Sequence, residues 1–282
     1  MVKTLKKTCN DLEIRHTSLE GLNIRCAFRK GTEEGPPLLL FNGIGTSLEF
    51  LIPLVSEIPE LNVITYDVPG TGESHSPRTP WRMRHHAKLA SELVKSYGFD
   101  EVDVLGVSWG GMLAQQFARQ FPRMCRRLVL AATSAGHTMV FGKPWVRAHM
   151  MTPLRHRIPS YMKRVAPMIY GGEFRTNKDL CESYTSQIKP ASFKGYYMQV
   201  GSVVGWSSLG FLHKLKQPTL VLGGKDDPIT PFVNSLLLVS RIPNAELRVL
   251  ANGHLFVVTH PKQVAAAVED FLLFDRNIVE DD

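Results

Sequence analysis

Ser108 has the sequence surroundings of a serine nucleophile. It is the middle residue of Gly-Val-Ser-Trp-Gly at 106–110, directly after the apolar run 102–105 and directly before the helix-like stretch 111–118. A serine on so tight a turn between a strand and a helix has its hydroxyl pushed clear of the sheet, and flanking glycines avoid collisions with neighbouring chain. The following helix directs free amide hydrogens toward the reacting centre. The strand and helix around the pattern, more than the pattern itself, predict a nucleophile here.

A serine hydroxyl is a weak nucleophile at neutral pH, so this interpretation requires a histidine base. His254 lies in a glycine-containing loop at 252–256, directly after a strand-like run. His260 is the alternative, but it directly precedes Pro261, where a helix is expected to begin, and a capping or solvent-exposed role suits it better. We therefore expect His254 to be the base for Ser108.

The base requires a carboxylate that orients its imidazole ring. The apolar strand-like run 219–222 breaks into the turn Gly-Gly-Lys-Asp-Asp-Pro at 223–228, which offers two adjacent candidates, Asp226 and Asp227. The end of the earlier strand-like run 128–132 offers no carboxylate that could substitute, since Thr-Ser-Ala-Gly follows it. The acid is therefore expected to be one of these two aspartates.

The tetrahedral intermediate of acyl transfer also needs hydrogen-bond donors where negative charge develops. The sequence Phe-Asn-Gly-Ile-Gly at 41–45 follows the apolar, strand-like run 38–40. Its glycines allow the backbone to turn an amide toward the nucleophile. We expect the backbone amides of Ile44 and Trp109 to form the oxyanion hole, although an ordinary glycine-rich turn after a strand would have the same composition.

The elements that must position these residues alternate between strand-like and helix-like runs. The chain has 282 residues, 44% of them hydrophobic, and contains neither a low-complexity linker nor an internal repeat. Alternation of this kind predicts an α/β fold in which a mostly parallel sheet is covered by helices on both faces. The clearest examples are residues 63–66, 83–97, 102–105 and 111–120.

One connection is far longer than a normal crossover between strands. It lies between the strand-like runs 128–132 and 220–222, and we interpret it as an inserted helical lid, residues 137–216, on a core formed by 1–136 and 217–282. Its apolar and aromatic side chains either hold hydrocarbon groups of a substrate or pack the lid on the core. They are Trp145, Met150, Met151, Tyr161, Met162, Met168, Tyr170, Tyr196, Tyr197, Met198 and Trp206.

Positive charge is concentrated in the lid segment, residues 137–216. The segment has twelve Lys and Arg against three Asp and Glu, a net charge of +9, whereas the whole chain has +7. Such a surface would attract an anionic interface, such as a lipid-coated granule, or a substrate carboxylate; ordinary solvated surface is the other interpretation. The basic residues form no aromatic-interleaved groove or known motif, so nucleic acid is not an expected partner.

The remaining features argue against a zinc protein, a disulfide-stabilised protein and a transmembrane protein. The cysteines have no paired spacing, which predicts reduced thiols and neither a zinc site nor a disulfide framework. The N-terminal lysines are not followed by an apolar signal region, and no apolar run approaches membrane-spanning length, so a cytoplasmic protein without a transmembrane segment is expected. His85 and His86 carry no motif and are expected at the surface. The cysteines are Cys9, Cys26, Cys125 and Cys181.

Together these segments resemble the α/β-hydrolase superfamily from about residue 20 to about residue 274. Longer stretches are similar to the intracellular depolymerases of medium-chain-length polyhydroxyalkanoates, a family that cleaves storage polyesters inside bacterial cells with a Ser-Asp-His triad. The chain departs from that family in its lid, and it has Asn42-Gly43 where many superfamily relatives have His-Gly. The similar stretches are 41–45, 67–70, 106–111 with 114–118, 128–133, 169–172 and 241–245.

The resemblance implies an α/β-hydrolase fold, no metal, no organic cofactor, and a triad of Ser108, Asp227 and His254. Asp227 is preferred to Asp226 because the acid of such hydrolases stands four residues before a proline, here Pro231. The implied activity is hydrolysis of esters in an aliphatic polyester, at storage granules in the cytoplasm. A small-molecule carboxylesterase or C–C bond hydrolase with the same triad, and a granule-binding protein without turnover, are the alternatives.

Overall fold

A central sheet organises the computed structural model, which describes residues 12–177, 179–180, 184 and 191–273. Its strands are β1 Glu13–Leu19, β2 Leu22–Arg29, β3 Leu38–Phe41, β4 Val63–Tyr66, β5 Val102–Val107, β6 Cys125–Ala131, β7 Thr219–Gly224 and β8 Ala245–Leu250. Their order across the eight-stranded sheet is β1-β2-β4-β3-β5-β6-β7-β8. The pairings of β2 with β1 and β4 are antiparallel, and all others are parallel. The predicted mostly parallel sheet is therefore confirmed.

Burial explains why the middle strands read as continuous apolar runs. Every residue of β3, β4 and β5 is buried, because both faces of the sheet are covered. Successive side chains of β3 point to opposite faces. Leu38 and Leu40 belong to one hydrophobic cluster, and Leu39 and Phe41 belong to the other. The sheet therefore separates two cores, and the edge strand β1, which is mostly exposed, contributes Leu19 to the cluster that contains Leu39.

Helices flank the sheet on both faces. They are α1 Ile52–Val55, α2 Met83–Ser96, α3 Trp109–Gln120, α4 Pro144–Met150, α5 Leu154–Arg157, α6 Pro159–Tyr170, α7 Phe193–Val203, α8 Val233–Arg241, α9 Phe256–Thr259 and α10 Pro261–Leu273. Side chains of α2, α3 and α8 pack in the cluster that contains Leu39, whereas α9 and α10 pack in the cluster that contains Leu38. Over the described ranges, none of these helices combines the length and the apolar character that crossing a membrane requires.

Helices α4 to α7 lie in the long connection between β6 and β7, where an inserted helical lid is predicted. In the described part of this connection the backbone forms α-helices and the short 3-10 helices Gly172–Arg175 and Leu212–Lys214. An isolated bridge joins Ser207 to Gly136 at the end of the preceding core segment. Helix α6 begins at Pro159, whose fixed φ suits a first helical turn. The boundaries 137 and 216 themselves stay a prediction.

Apolar side chains of this connection divide between packing and exposure. Met162, Tyr170 and Tyr196 are buried, and the first two belong to the same hydrophobic cluster as the core strands. Trp145 and Tyr197 are about half exposed, at 49% and 48%. Packing on the core therefore accounts for some of the apolar lid residues but not for all of them.

The cysteines of the described chain are inert by position. Cys26 and Cys125 are buried free thiols, and burial raises the pKa of Cys125, so this thiol stays protonated. Cys9 and Cys181 lie outside the described residues.

His86 is buried, so the expectation that it lies at the surface was wrong. It is 2% exposed and packs between the rings of Trp81 and Trp109, with centroid distances of 5.4 and 5.3 Å. Neither ring nitrogen has a hydrogen-bond partner. Burial lowers the pKa of His86 to about 3, because the imidazolium ion would lose its hydration. A single polar residue on the apolar face of α2 leaves no periodic signal in the sequence.

The buried His86 predicts a specific pH dependence of stability. Its pKa is lower in the folded than in the unfolded protein, so the unfolded chain binds the proton first and stability is lost as pH falls below about 6.5. We expect His86→Leu to reduce the loss of unfolding free energy between pH 7.5 and pH 5 by about 2 kcal/mol. Urea unfolding at both pH values measures this difference. The exposed His75→Leu is the control, and an unchanged pH dependence in His86→Leu contradicts the burial argument.

Candidate active site

Ser108 occupies the turn between β5 and α3 with a strained backbone. Its φ of 55° and ψ of −116° lie in a region that non-glycine residues rarely adopt. A Cβ on Gly106 would lie 2.2 Å from the Gly110 carbonyl oxygen, and a Cβ on Gly110 would lie 2.2 Å from that of Phe41. The glycines therefore permit α3 to approach β3 and β5 closely, and the turn projects the Ser108 side chain beyond the sheet.

His254 reaches Ser108 from the loop that follows β8. Its Nε2 is 3.1 Å from Ser108 Oγ, within hydrogen-bond distance, and the residue is 3% exposed. The backbone N–H of His254 donates to the carbonyl of Tyr170, the last residue of α6, at 2.7 Å. A helix of the predicted lid therefore holds the histidine loop in place.

Asp227 lies on the opposite side of the imidazole, where β7 ends. Its Oδ2 is 2.8 Å from His254 Nδ1. Its Oδ1 accepts hydrogen bonds from the backbone N–H groups of Ile229 and Thr230, both at 2.9 Å, and the Thr230 hydroxyl donates to Oδ2 at 2.6 Å. A carboxylate at Nδ1 keeps the proton on that nitrogen and leaves Nε2 free to accept the proton of Ser108. The structure thus brings Ser108, His254 and Asp227 into one hydrogen-bonded line.

The alternative acid and base lie elsewhere. Asp226 points away from His254 and accepts two hydrogen bonds from Arg175, at 2.8 and 2.9 Å, and one from the Gly172 backbone at 2.7 Å. The hydrogen bonds from Arg175 hold the pKa of Asp226 below its usual value. His260 contacts Thr259 Oγ1 through Nδ1 at 2.8 Å and lies 3.4 Å from a carboxylate oxygen of Glu173. Geometry therefore separates both alternatives from the serine.

The segment predicted to supply the oxyanion hole lies beside the serine. A Cβ on Gly43 would lie 4.0 Å from Ser108 Cβ, and Gly43, Ile44, Ser108 and His254 line the same cavity. Trp109 is the first residue of the 12-residue helix α3, so its N–H has no acceptor within the helix. Ile44 and Trp109 thus stay the predicted donors of the oxyanion hole, the first because it lines the serine's cavity and the second because it follows Ser108 directly.

Gln199 stabilises this segment, and the sequence analysis missed it. Its side-chain Oε1 accepts a hydrogen bond from Gly45 N at 2.7 Å, and its backbone carbonyl accepts one from the indole N–H of Trp109 at 3.1 Å. Gln199 is fully buried in α7 of the predicted lid. No sequence pattern marks it, because its partners are distant in the chain. Thr230, which fixes Asp227, was missed for a different reason: threonine is common in turns.

Residues of the predicted lid narrow the cavity at Ser108. Met150, Arg155, Tyr170 and Tyr184 contribute to its wall, and its volume is about 20 Å³. A larger groove of about 660 Å³ lies on the far side of Asp227, but neither Ser108 nor His254 lines it. The smaller cavity is the one that contains the reactive groups, so a bulky ester requires these lid residues to move apart.

This arrangement can perform acyl transfer. A serine hydroxyl, an imidazole that accepts its proton, a buried carboxylate and two nearby amides are the groups that this chemistry needs. Among the described residues no cluster of three or more His, Cys, Asp or Glu is placed to hold a metal ion.

Comparison with known sequences gives three relevant findings. A family model described as "alpha/beta hydrolase fold" matches residues 36–261. The poly(3-hydroxyalkanoate) depolymerase of Ectopseudomonas oleovorans is 46% identical over 263 residues, which covers 93% of each chain. The 2-hydroxymuconate semialdehyde hydrolase of Pseudomonas putida is 30% identical over 219 residues, covering 74% of this chain and 76% of that protein.

Solved structures agree with this assignment. A hydrolase from Pseudomonas aeruginosa PA01 superposes with a TM-score of 0.77 and 25% sequence identity, covering 92% of this chain and 98% of the other. The family model covers most of the chain, from β3 to the first residue of α10. The chain therefore belongs to the α/β hydrolase fold family, and its predicted resemblance to a polyhydroxyalkanoate depolymerase is confirmed by a relative along nearly its whole length.

Proposed function

We propose that this protein is a serine hydrolase that cleaves the ester bonds of an aliphatic polyester, with Ser108 as nucleophile. The observation that carries the proposal is the line from Asp227 Oδ2 to His254 Nδ1, at 2.8 Å, and from His254 Nε2 to Ser108 Oγ, at 3.1 Å. The 46% identity to a poly(3-hydroxyalkanoate) depolymerase supports the choice of substrate, most specifically a medium-chain-length poly(3-hydroxyalkanoate).

The geometry suggests the order of events. Ser108 Oγ attacks the ester carbonyl carbon while His254 Nε2 takes its proton, and Asp227 stabilises the resulting imidazolium. The amides of Ile44 and Trp109 donate to the oxyanion. Collapse of the intermediate breaks the carbon–oxygen bond to the alcohol, which leaves with the proton from His254. Water, activated by the same histidine, then hydrolyses the acyl-enzyme and restores Ser108.

A second candidate function is hydrolysis of a small ester or of a C–C bond with the same residues. The 30% identity to 2-hydroxymuconate semialdehyde hydrolase and the small cavity of about 20 Å³ favour this alternative over a granule-binding protein without turnover. Reaction with a serine-directed phosphonate distinguishes an enzyme from such a binding protein, because only an activated serine becomes labelled.

We further propose that residues 137–216 form a lid whose outer surface binds the polyester granule in the cytoplasm. Three cationic side chains lie over aromatic rings there: Lys143 over Trp145 at 5.1 Å, Arg147 over Phe141 at 5.3 Å, and Arg157 over Phe193 at 4.5 Å. Each of the three rings is about half exposed. Apolar rings beside positive charge suit an apolar polymer surface coated with anionic lipid.

The direct test compares purified medium-chain and short-chain polyester granules as substrates for wild type and Ser108→Ala. Removing one oxygen from a side chain that faces a cavity should leave the fold intact and reduce turnover at least about a thousandfold. Each additional buried methylene favours the medium-chain polymer by up to about 0.8 kcal/mol. Equal or greater release from the short-chain polymer contradicts the medium-chain substrate, and activity within tenfold of wild type in Ser108→Ala contradicts the assignment of Ser108 as nucleophile.

The adjacent aspartates provide a matched pair of variants. Asp227→Asn should reduce turnover roughly 10⁴-fold, because an amide at Nδ1 favours the wrong imidazole tautomer. Asp226→Asn removes the exposed pair with Arg175 and should reduce turnover far less. Steady-state kinetics on a soluble ester measure both. The reverse ranking would transfer the role to Asp226.

Granule binding by the lid predicts a salt effect confined to the polymer. Exposed charges are screened beyond about 8 Å at physiological ionic strength, so added salt should slow granule degradation and barely change hydrolysis of a soluble ester. The triple variant Lys143→Gln, Arg147→Gln, Arg157→Gln should abolish this difference. The control is Arg119→Gln with Arg123→Gln, which neutralises exposed charges outside the lid. Identical salt profiles of wild type on both substrates would show that the basic lid is ordinary solvated surface.

A further inference from the structure

Arg155 is a buried cation in the wall of the active-site cavity. It lies in α5 of the predicted lid, is 2% exposed, and lines the cavity together with Ser108 and His254. Apart from His254, the other residues that line this cavity are uncharged. A guanidinium stays protonated even when buried, so the cavity carries a permanent positive charge.

The contacts of Arg155 leave this charge without a counterion. Its Nη1 donates to the Thr152 carbonyl at 2.9 Å and to the Tyr196 hydroxyl at 2.8 Å, and it lies 3.4 and 3.5 Å from the carbonyls of Met150 and His149. All four acceptors are neutral. No carboxylate in the described ranges forms an ion pair with Arg155, and its buried Nε has no hydrogen-bond partner.

A purely structural role explains only part of this arrangement. Arg155 Nη1 closes the end of α4 by binding carbonyls there, which neutral side chains could do at a lower desolvation cost. The unpartnered Nε and the missing counterion have no such explanation. A buried guanidinium in a reactive cavity is satisfied when a carboxylate from outside the protein binds to it.

We infer that Arg155 binds the free carboxylate at the end of the substrate chain, an inference that rests on the function proposed above. In a polyester of 3-hydroxy acids the terminal carboxylate is separated from the nearest ester oxygen by one methine and one methylene. A carboxylate held at Arg155 therefore places the terminal ester bond near Ser108. The substrate on this inference is an oligomer or polymer with a free carboxylate end, and the enzyme removes units from that end.

The chemical step balances with the groups present. Ser108 Oγ forms a bond to the carbonyl carbon of the penultimate unit, and the bond from that carbon to the ester oxygen of the terminal unit breaks. The departing alkoxide takes the proton held by His254 Nε2 and leaves as a 3-hydroxyalkanoate. Water then releases the shortened chain from Ser108 with a new free carboxylate, which is again a ligand for Arg155.

The experiment uses a medium-chain 3-hydroxyalkanoate dimer in two forms, the free acid and its methyl ester. Cleavage of the bond between the two units is followed by chromatography for wild type, Arg155→Met, Arg155→Lys and the exposed control Arg164→Met, in the same predicted lid. Wild type and the control should have a kcat/KM at least about tenfold higher for the free acid, mainly through KM, as expected for a charge-assisted pair. Arg155→Met should lose this preference, with a larger fall in kcat/KM on the free acid than on the methyl ester, whereas Arg155→Lys should retain part of the preference.

The ratio of kcat/KM on the free acid to kcat/KM on the methyl ester distinguishes loss of carboxylate binding from loss of protein stability. Damage to the lid lowers both values equally and leaves their ratio unchanged. Wild-type enzyme without a preference for the free acid, or an unchanged ratio in Arg155→Met, overturns the role of Arg155 while leaving ester hydrolysis intact. An equal loss on both substrates assigns Arg155 to lid structure alone and also overturns it. If wild type cleaves neither dimer but still degrades granules, the binding of a free chain end by Arg155 is overturned and the proposed function stands, whereas failure on granules as well overturns the proposed function itself.

Discussion

The strained turn at Ser108 is the constraint on which the rest of the site depends. A positive φ at a non-glycine residue costs on the order of 1–3 kcal/mol and persists only where the surroundings enforce it. Here the Ser108 N–H donates to Ala131 at 2.9 Å, its carbonyl accepts from Thr133 Oγ1 at 2.6 Å, and α3 packs against β3 through glycine. Because β5 and β6 are buried central strands, the strain is supported by the most stable part of the sheet.

The active-site loops are each held by the lid as well as by the core. In the predicted oxyanion segment, Gly45 N–H donates to Gln199 Oε1, and in the histidine loop His254 N–H donates to the Tyr170 carbonyl. Asp226, beside Asp227, accepts a hydrogen bond from the Gly172 N–H. The position of the predicted lid therefore helps to fix the positions of the reacting groups. The cavity is small because residues of the same segment that hold these loops also line the space around the serine. Access for a long substrate and precise geometry at Ser108 are therefore opposing demands on one segment.

The positive charge of the lid divides into two environments with different physical consequences. Charges such as Lys143 and Arg147 are exposed beside aromatic rings, where salt screens them and their effect is on association with a surface. Arg155 is buried, where screening is weak and no carboxylate of the described residues balances the charge, which is the basis for inferring an anionic ligand there. A net charge read from the sequence does not distinguish these environments, although they imply different partners.

The sequence by itself predicted the elements and the three residues that the structure brings into one hydrogen-bonded line. Continuous apolar runs predicted the buried strands, and Ser108, His254 and the aspartate pair were all identified from the turns that follow strands, because parallel strands place such turns at one edge of the sheet. Tertiary structure alone decided that His86 is buried and that Gln199 and Arg155 belong to the site, whereas for the aspartates it agrees with the preference for Asp227 that the resemblance implied. These depend on contacts between segments far apart in the chain, which local composition and periodicity do not record.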